Sequence, residues 1–407
     1  MSQKSVSPVR SDADHRAMAK SINACMFTAE SQKGHARYTR DLLLAIAAVG
    51  LDRGVDVELV TSADLSPNFQ SNRYPIHRIL PPLANRSVFR SKIAWGISRV
   101  RHYIRRENTF LKFVKSRPDL RLVHIQEYTP WLASRHFAKL RRSGVEVVLT
   151  VHNIANYGHA SQRYVKAMRG NWRTAWRTCS ALIVHTEGLR DELGRFLGPG
   201  HPPIHVTPHA VWEERTEPPI TVVAPHADET ARLLFFGMVR PNKGLHILLR
   251  AMEFLPNCTL TIAGEHEQGA YHDQILKLVA QRPAGQVELI NEFIDQQEIA
   301  AYFDRSHLVI LPYTEFASQS GVLHQALAHG KPVVASDVGG LGESVRSWRI
   351  GVVVEPKNEH ALASGVAAAL RPDAYRKAAE ATECVRSELT WARMAEATCD
   401  VYHSLIH

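Results

Sequence analysis

Residues 235–244 read Phe-Phe-Gly-Met-Val-Arg-Pro-Asn-Lys-Gly, and they decide the fold. An apolar run, Leu233–Gly237, stops at a glycine. Arg240 and Lys243 follow three residues apart, and Gly244 opens a segment with Leu245, Leu248, Leu249 and Met252 at helical spacing. A strand that turns at a glycine into a helix is a repeating unit of a parallel α/β layer. The junction also leaves helix N–H groups free beside two cations, which suits a phosphate or diphosphate. In an isolated Arg-x-x-Lys the cations would be read as solvated loop charges; the flanking glycines Gly237 and Gly244 favour the anion site.

The pattern recurs outward from this stretch. Thr259–Ala263, Val287–Asn291, Leu308–Pro312, Pro332–Ser336 and Gly351–Glu355 follow it, and Ser21–Phe27, Val55–Thr61, Leu122–Gln126, Val145–Val151, Ala181–His185 and His205–Pro208 precede it. Most are continuous apolar runs, as expected of strands buried on both faces. Helical patterns lie between them, clearest at Tyr38–Val49 and Gly244–Leu255, and another at Thr390–Ile406 ends the chain. The 407 residues exceed what one core usually serves. A Pro-rich connection, Thr216–Pro225, divides two halves of similar rhythm. The expected architecture is α/β, with two Rossmann-like domains facing a central cleft. Ligands should bind at the carboxyl ends of the strands. The expected segments are a disordered leader at 1–20, a first domain at 21–215, a second at 216–389 and a final helix at 390–407.

A second constellation starts at Leu311-Pro312-Tyr313-Thr314-Glu315 and runs through Ser318-Gln319-Ser320-Gly321-Val322 into a helix containing Gln325. Small polar residues before a helix suit an anion, and simple N-capping by Ser318 or Ser320 is the plainer alternative. Gly339-Gly340-Leu341-Gly342-Glu343 reads as a turn that reverses the chain.

Several exclusions follow. The longest apolar run, Leu42–Leu51, is about half of the ~20 residues a membrane span needs, and residues 1–20 show no secretory pattern. Five cysteines without a Cys-x-x-Cys pair argue against a disulfide framework or zinc site and suit a reducing cytosol. Asp12-Ala13-Asp14 is the one Asp-x-Asp, and neither His-x-His nor His-Glu-x-x-His occurs. No metal and no cofactor are expected, and no Walker motif is present.

Residues 233–355 resemble the donor-binding domain of the GT-B glycosyltransferases, in the large retaining family four. The resemblance rests on Gly-Met-Val-Arg-Pro-Asn-Lys-Gly, Thr-Ile-Ala-Gly-Glu at 261–265, the Leu-Pro-Tyr strand end, and Ala-His-Gly-Lys-Pro-Val-Val-Ala-Ser-Asp-Val-Gly-Gly at 328–340 with Glu343. The first half is similar through Gly34 in Ser-Gln-Lys-Gly-His-Ala-Arg-Tyr, His124, Thr-Val-His-Asn with His152, and Pro208-His209-Ala210. Thr390-Trp391 resembles the start of a helix that crosses back to the first domain.

The resemblance implies that Arg240 and Lys243 stabilise a departing diphosphate, with backbone amides around Ser320, Gly321 and Val322 and a close approach at Gly237. It implies that Glu292, Phe293 and Ile294 hold the nucleobase and Gln325 the ribose. It further implies that His152 lies by the transferred sugar, Gly34 by donor or acceptor, and His124 by the acceptor. Two glutamates usual in the family are replaced by Ala317 and Gln325; Gln325 can still hydrogen-bond a hydroxyl, and Glu315 is a substitute for the other if the loop is reshaped.

Charge is local. Between Arg86 and Arg117 ten basic residues face one acid, Glu107, which accounts for the whole formal charge of +9. Aromatic and aliphatic residues interleave with these cations, as suits an anionic membrane surface. A solvated helix face is the alternative, and nucleic acid is disfavoured for want of a binding module. Arg163, Lys166, Arg169, Arg173 and Arg177 step along one further helical face. The expectation is a metal-independent, cytosolic, peripherally membrane-bound hexosyltransferase. It would use a nucleoside-diphosphate sugar, retain configuration and act on a lipid-linked saccharide acceptor in envelope or exopolysaccharide synthesis. The rivals are a nucleotide-sugar epimerase of the same architecture and a non-catalytic nucleotide-sugar-binding subunit.

Overall fold

The computed structural model describes residues 21–29, 34–82, 91–152, 154, 162–212, 224–226, 229–266, 268–315 and 320–406. The expected leader, most of the Pro-rich connection, Asp12-Ala13-Asp14 and Ala317 lie outside these residues. Strands β1 to β7 are Ile22–Phe27, Val55–Ser62, Ile76–Leu80, Leu122–Ile125, Glu146–Thr150, Ala181–Val184 and Ile204–Val206. Strands β8 to β13 are Ala231–Phe236, Cys258–Ala263, Val287–Ile290, Leu308–Leu311, Val333–Ser336 and Gly351–Val354. Helices α1 to α5 are Gly34–Arg53, Lys92–Lys115, Ala133–Arg142, Gln162–Thr178 and Glu187–Leu197. Helices α6 to α13 are Leu245–Ala251, Ala270–Ala280, Gln296–Asp304, Gly321–Ala328, Gly339–Trp348, Glu359–Ala369, Pro372–Glu388 and Trp391–Leu405.

Two sheets result, in the orders β3-β2-β1-β4-β5-β6-β7 and β10-β9-β8-β11-β12-β13. The strand pairs are parallel, with Ala24 opposite Leu122 and Leu233 opposite Leu308 across the two central pairs. In each sheet the order reverses beside the first strand, at β1/β4 and at β8/β11, which is where such sheets place ligands. The described chain groups into two compact units. One takes its residues from Met1–Leu149, Thr178–Ala181 and Ala395–His407, and the other from Thr150–Arg177 and Leu182–Met394.

The expected α/β class with two parallel, helix-covered sheets is what the chain forms. Continuous apolar strands are explained by burial on both faces. Leu233, Phe235, Leu260 and Ile310 pack with Leu248, Leu249 and Val366 on one side of the second sheet. Leu234, Val309, Leu311 and Ala335 pack with Phe303, Leu323 and Val345 on the other. Each such aliphatic side chain contributes roughly 1.5–3 kcal/mol of burial.

Two expectations change. Strand β3, Ile-His-Arg-Ile-Leu, is an addition to the expected set: it lies at a sheet edge with His77 and Arg78 only partly covered, so it lacks the continuous apolar signature. Gly339–Glu343 is the first turn of α10 and no chain reversal. A side chain at Gly342 would put its Cβ 2.4 Å from Asp337 Oδ1, so close packing accounts for that glycine inside a helix.

Candidate functional site

The strand β8 ends at Gly237, whose φ of +93° turns the chain. Val239 then bridges to His266, and Arg240 precedes a short 3-10 turn, Pro241–Lys243. That turn is pinned to the end of β11, because Thr314 N donates to Asn242 O at 2.9 Å. At Gly244, φ is +69° and a Cβ would sit 1.8 Å from Pro312 O, so only glycine permits this crossing.

The crossing brings the two sequence constellations together. Lys243 Nζ lies 3.7 Å from the centre of the Tyr313 ring, a cation–π contact. Tyr313 Oη and Ser320 Oγ share a hydrogen bond of 2.9 Å, and Ser320 caps α9 by accepting from Leu323 N. A Cβ at Gly237 would touch Val322 Cγ2 at 3.4 Å, so the β8 turn also reaches the first turn of α9. Lys243, Gly237, Ser320, Gly321 and Val322 thus meet at the carboxyl ends of β8 and β11, where the strand order reverses. A helix start, a lysine and glycine-turned backbone there form a receptor for an anion.

Known proteins of similar sequence and fold agree with this geometry. Residues 33–215 match the family described as Glycosyltransferase Family 4, and residues 230–371 match Glycosyl transferases group 1. The chain belongs to the family-four GT-B glycosyltransferases. It is 29% identical over 299 residues to a glycogen synthase of Mycobacterium tuberculosis, covering 70% of this chain and 69% of that one. It shares its fold with a sucrose-phosphate synthase from Thermosynechococcus elongatus, at TM-score 0.72 and 21% identity over 94% of this chain and 99% of that one. It also shares the fold of Anabaena HepE, solved with UDP and glucose, at TM-score 0.65 and 18% identity over 94% and 100% of the two chains.

Other expected site residues of this glycosyltransferase take varied positions. Gln325 is buried one turn into α9. Phe293, beyond β10, is 70% exposed, whereas neighbouring Ile294 is buried in the core. Glu315 lies 3.5 Å from Lys357 Nζ at the surface. Gly34 begins α1. His124 is buried, with Nδ1 2.7 Å from Tyr402 Oη and Nε2 3.1 Å from Gln126 Nε2, so both its ring nitrogens are engaged in fastening α13.

His152 opens a row of imidazoles that the sequence does not announce as a group. Its ring centre is 5.6 Å from that of His185, His185 is 5.3 Å from His209, and His209 is 4.2 Å from His324. His185 Nδ1 donates to Thr207 O at 2.7 Å, which fixes its tautomer. Burial pushes His185 down to about 4 and His324 down to about 3, so both are neutral at pH 7. Lys331 of the Ala-His-Gly-Lys motif is also structural: fully buried, it donates to Asp304 O and Ser306 O at the end of α8.

The basic segments divide. On α2, Ile93, Ile97, Val100 and Ile104 are exposed, in a stripe spaced by four, three and four residues. Arg101, Arg105, Lys112 and Lys115 are exposed on the same helix. Arg106 instead turns inward, with Thr129 Oγ1 2.6 Å away and Glu107 Oε1 3.4 Å away. On α4, Arg173 and Arg177 do not form a free basic face: they donate to Leu197 O, and Arg177 also to Pro199 O, closing the end of α5. Among the described residues no helix is long and apolar enough to cross a membrane, and no three His, Cys, Asp or Glu gather as a metal-ligand set.

Proposed function

We propose that this glycosyltransferase moves a hexose from a nucleoside-diphosphate sugar to a hydroxyl of a lipid-linked saccharide at an anionic membrane surface, with retention of configuration. The reading is carried by Lys243 held over Tyr313, whose hydroxyl holds the Ser320 cap of α9. The diphosphate lies against this helix start, with Arg240 and Lys243 neutralising charge as it departs. Phe293 offers an exposed ring for the base, and Gln325 a neutral amide for a ribose hydroxyl. His152 faces the transferred sugar. HepE, which shares the fold, was solved in complex with UDP and glucose, and that supports a donor of this class. Helix α2 supplies membrane contact through the isoleucine stripe and its flanking cations, in envelope or exopolysaccharide assembly.

Calorimetry with UDP and GDP tests the donor site. Arg240→Ala with Lys243→Ala should weaken binding about 100-fold, since each charge-assisted contact contributes roughly 1.5–3 kcal/mol, while the protein stays folded. Unchanged affinity rejects the site. Acceptor-dependent diphosphate release with membrane extract, followed by mass spectrometry and anomeric analysis of the product, tests transfer and retention.

A further inference from the structure

Arg282 lies in the turn between α7 and β10, and its side chain is only 11% exposed. Its guanidinium makes no hydrogen bond to a described residue, and its Nε is sealed from solvent without an acceptor. Its charged neighbour is Glu253, whose Oε2 is 3.9 Å away on a side chain 67% exposed. The turn itself is firmly held. Arg282 N donates to Val279 O, Gln286 N donates to Pro283 O, and Gln286 Nε2 donates to Met252 O and Leu255 O. A cation kept mostly out of water, on a fixed turn, with no close acceptor, carries a desolvation cost of several kcal/mol. An oxyanion would offset that cost.

The surroundings accommodate one. Arg282 and Glu253 line a groove of about 530 Å³, walled also by Met252, Pro256 and Pro283. That volume is in the range of small-molecule sites. The groove also touches Thr230 and Cys258, so it lies at the amino ends of β8 and β9. Six residues of strand, roughly 20 Å, separate these from the carboxyl ends, so the groove is distinct from the donor site.

We infer that this groove binds a small hydroxylated oxyanion, the class to which sugar phosphates belong. Arg282 takes the oxyanion through its two terminal nitrogens. Glu253 accepts from a hydroxyl of the same ligand and disfavours a bare anion by repulsion. Met252, Pro256 and Pro283 cover the carbon skeleton.

Calorimetry on the full chain tests this with glucose 6-phosphate, inorganic phosphate and glucose as probes. The wild type and the Arg240→Ala/Lys243→Ala protein should bind glucose 6-phosphate alike, and inorganic phosphate and glucose about tenfold more weakly or worse. Arg282→Met should lower glucose 6-phosphate affinity at least about tenfold while leaving UDP affinity unchanged. Its melting temperature should hold or rise, because an apolar side chain of similar length replaces an uncompensated cation. The inference is overturned by no glucose 6-phosphate binding up to about 10 mM, far weaker than one charge-assisted contact supports. It is also overturned by binding that survives Arg282→Met, binding lost with Arg240 and Lys243, equal binding of inorganic phosphate, or a sharp fall in the melting temperature of Arg282→Met.

Discussion

Single residues carry sharp consequences here. His185 and His324 are buried neutral imidazoles, lowered by burial to about 4 and about 3 from an unfolded value near 6.5. Below that value the unfolded chain binds more protons than the folded one, so stability falls as pH drops from 6.5 through 4 toward 3. The two sites together should cost about 4 kcal/mol between pH 7 and pH 5. Urea unfolding at the two pH values measures this, and coincident midpoints would contradict it. Gly244 makes a second case. Gly244→Ala should destabilise by about 3 kcal/mol or more, through positive φ and the clash with Pro312 O, visible as a lower melting temperature. Gly244 is legible in the sequence because a glycine at a strand-to-helix junction has few other uses. The imidazole row is not, since His152, His185, His209 and His324 are far apart in the chain and only the fold assembles them.

Between elements, Tyr313 is the joint of the candidate site: it connects the turn after β8 with the cap of α9. Tyr313→Phe keeps the ring under Lys243 but loses the bond to Ser320, at about 1 kcal/mol. Nucleotide affinity should fall several-fold, whereas Tyr313→Leu, which also removes the ring, should cost more; equal affinities by calorimetry would contradict this. A second joint ties α2 to α3, where buried Glu107 meets His136 Nδ1 at 2.5 Å and accepts from Thr129 Oγ1 at 2.9 Å. Glu107→Gln removes the carboxylate charge beside buried Arg106 and should destabilise by roughly 3–5 kcal/mol, read from chemical denaturation. In the sequence Arg106 counts with the surface cations, because charge totals carry no direction. Likewise, the five arginines and lysines of α4 share a helical face in the sequence, but the described Arg173 and Arg177 cap α5 instead.

At the scale of the whole molecule, both sheets are legible because strands buried on two faces leave long apolar runs, and β3 escapes because an edge strand does not. The excess charge is concentrated around α2, so attachment to vesicles containing phosphatidylglycerol should weaken steeply with salt, within a screening length of about 10 Å at 0.1 M. Replacing Arg101, Arg105, Lys112 and Lys115 with glutamine should abolish attachment in a sedimentation assay, whereas indifference would leave α2 a solvated face. The closing segment Ala395–His407 groups with the unit that begins the chain, and Tyr402 is the partner of buried His124. A ribosome must therefore finish the message before the first-made portion is complete, so newly synthesised chains should stay protease-sensitive until termination. A stop codon ahead of Trp391 should leave a fragment that recovers compactness when a synthetic peptide of residues 391–405 is supplied in trans.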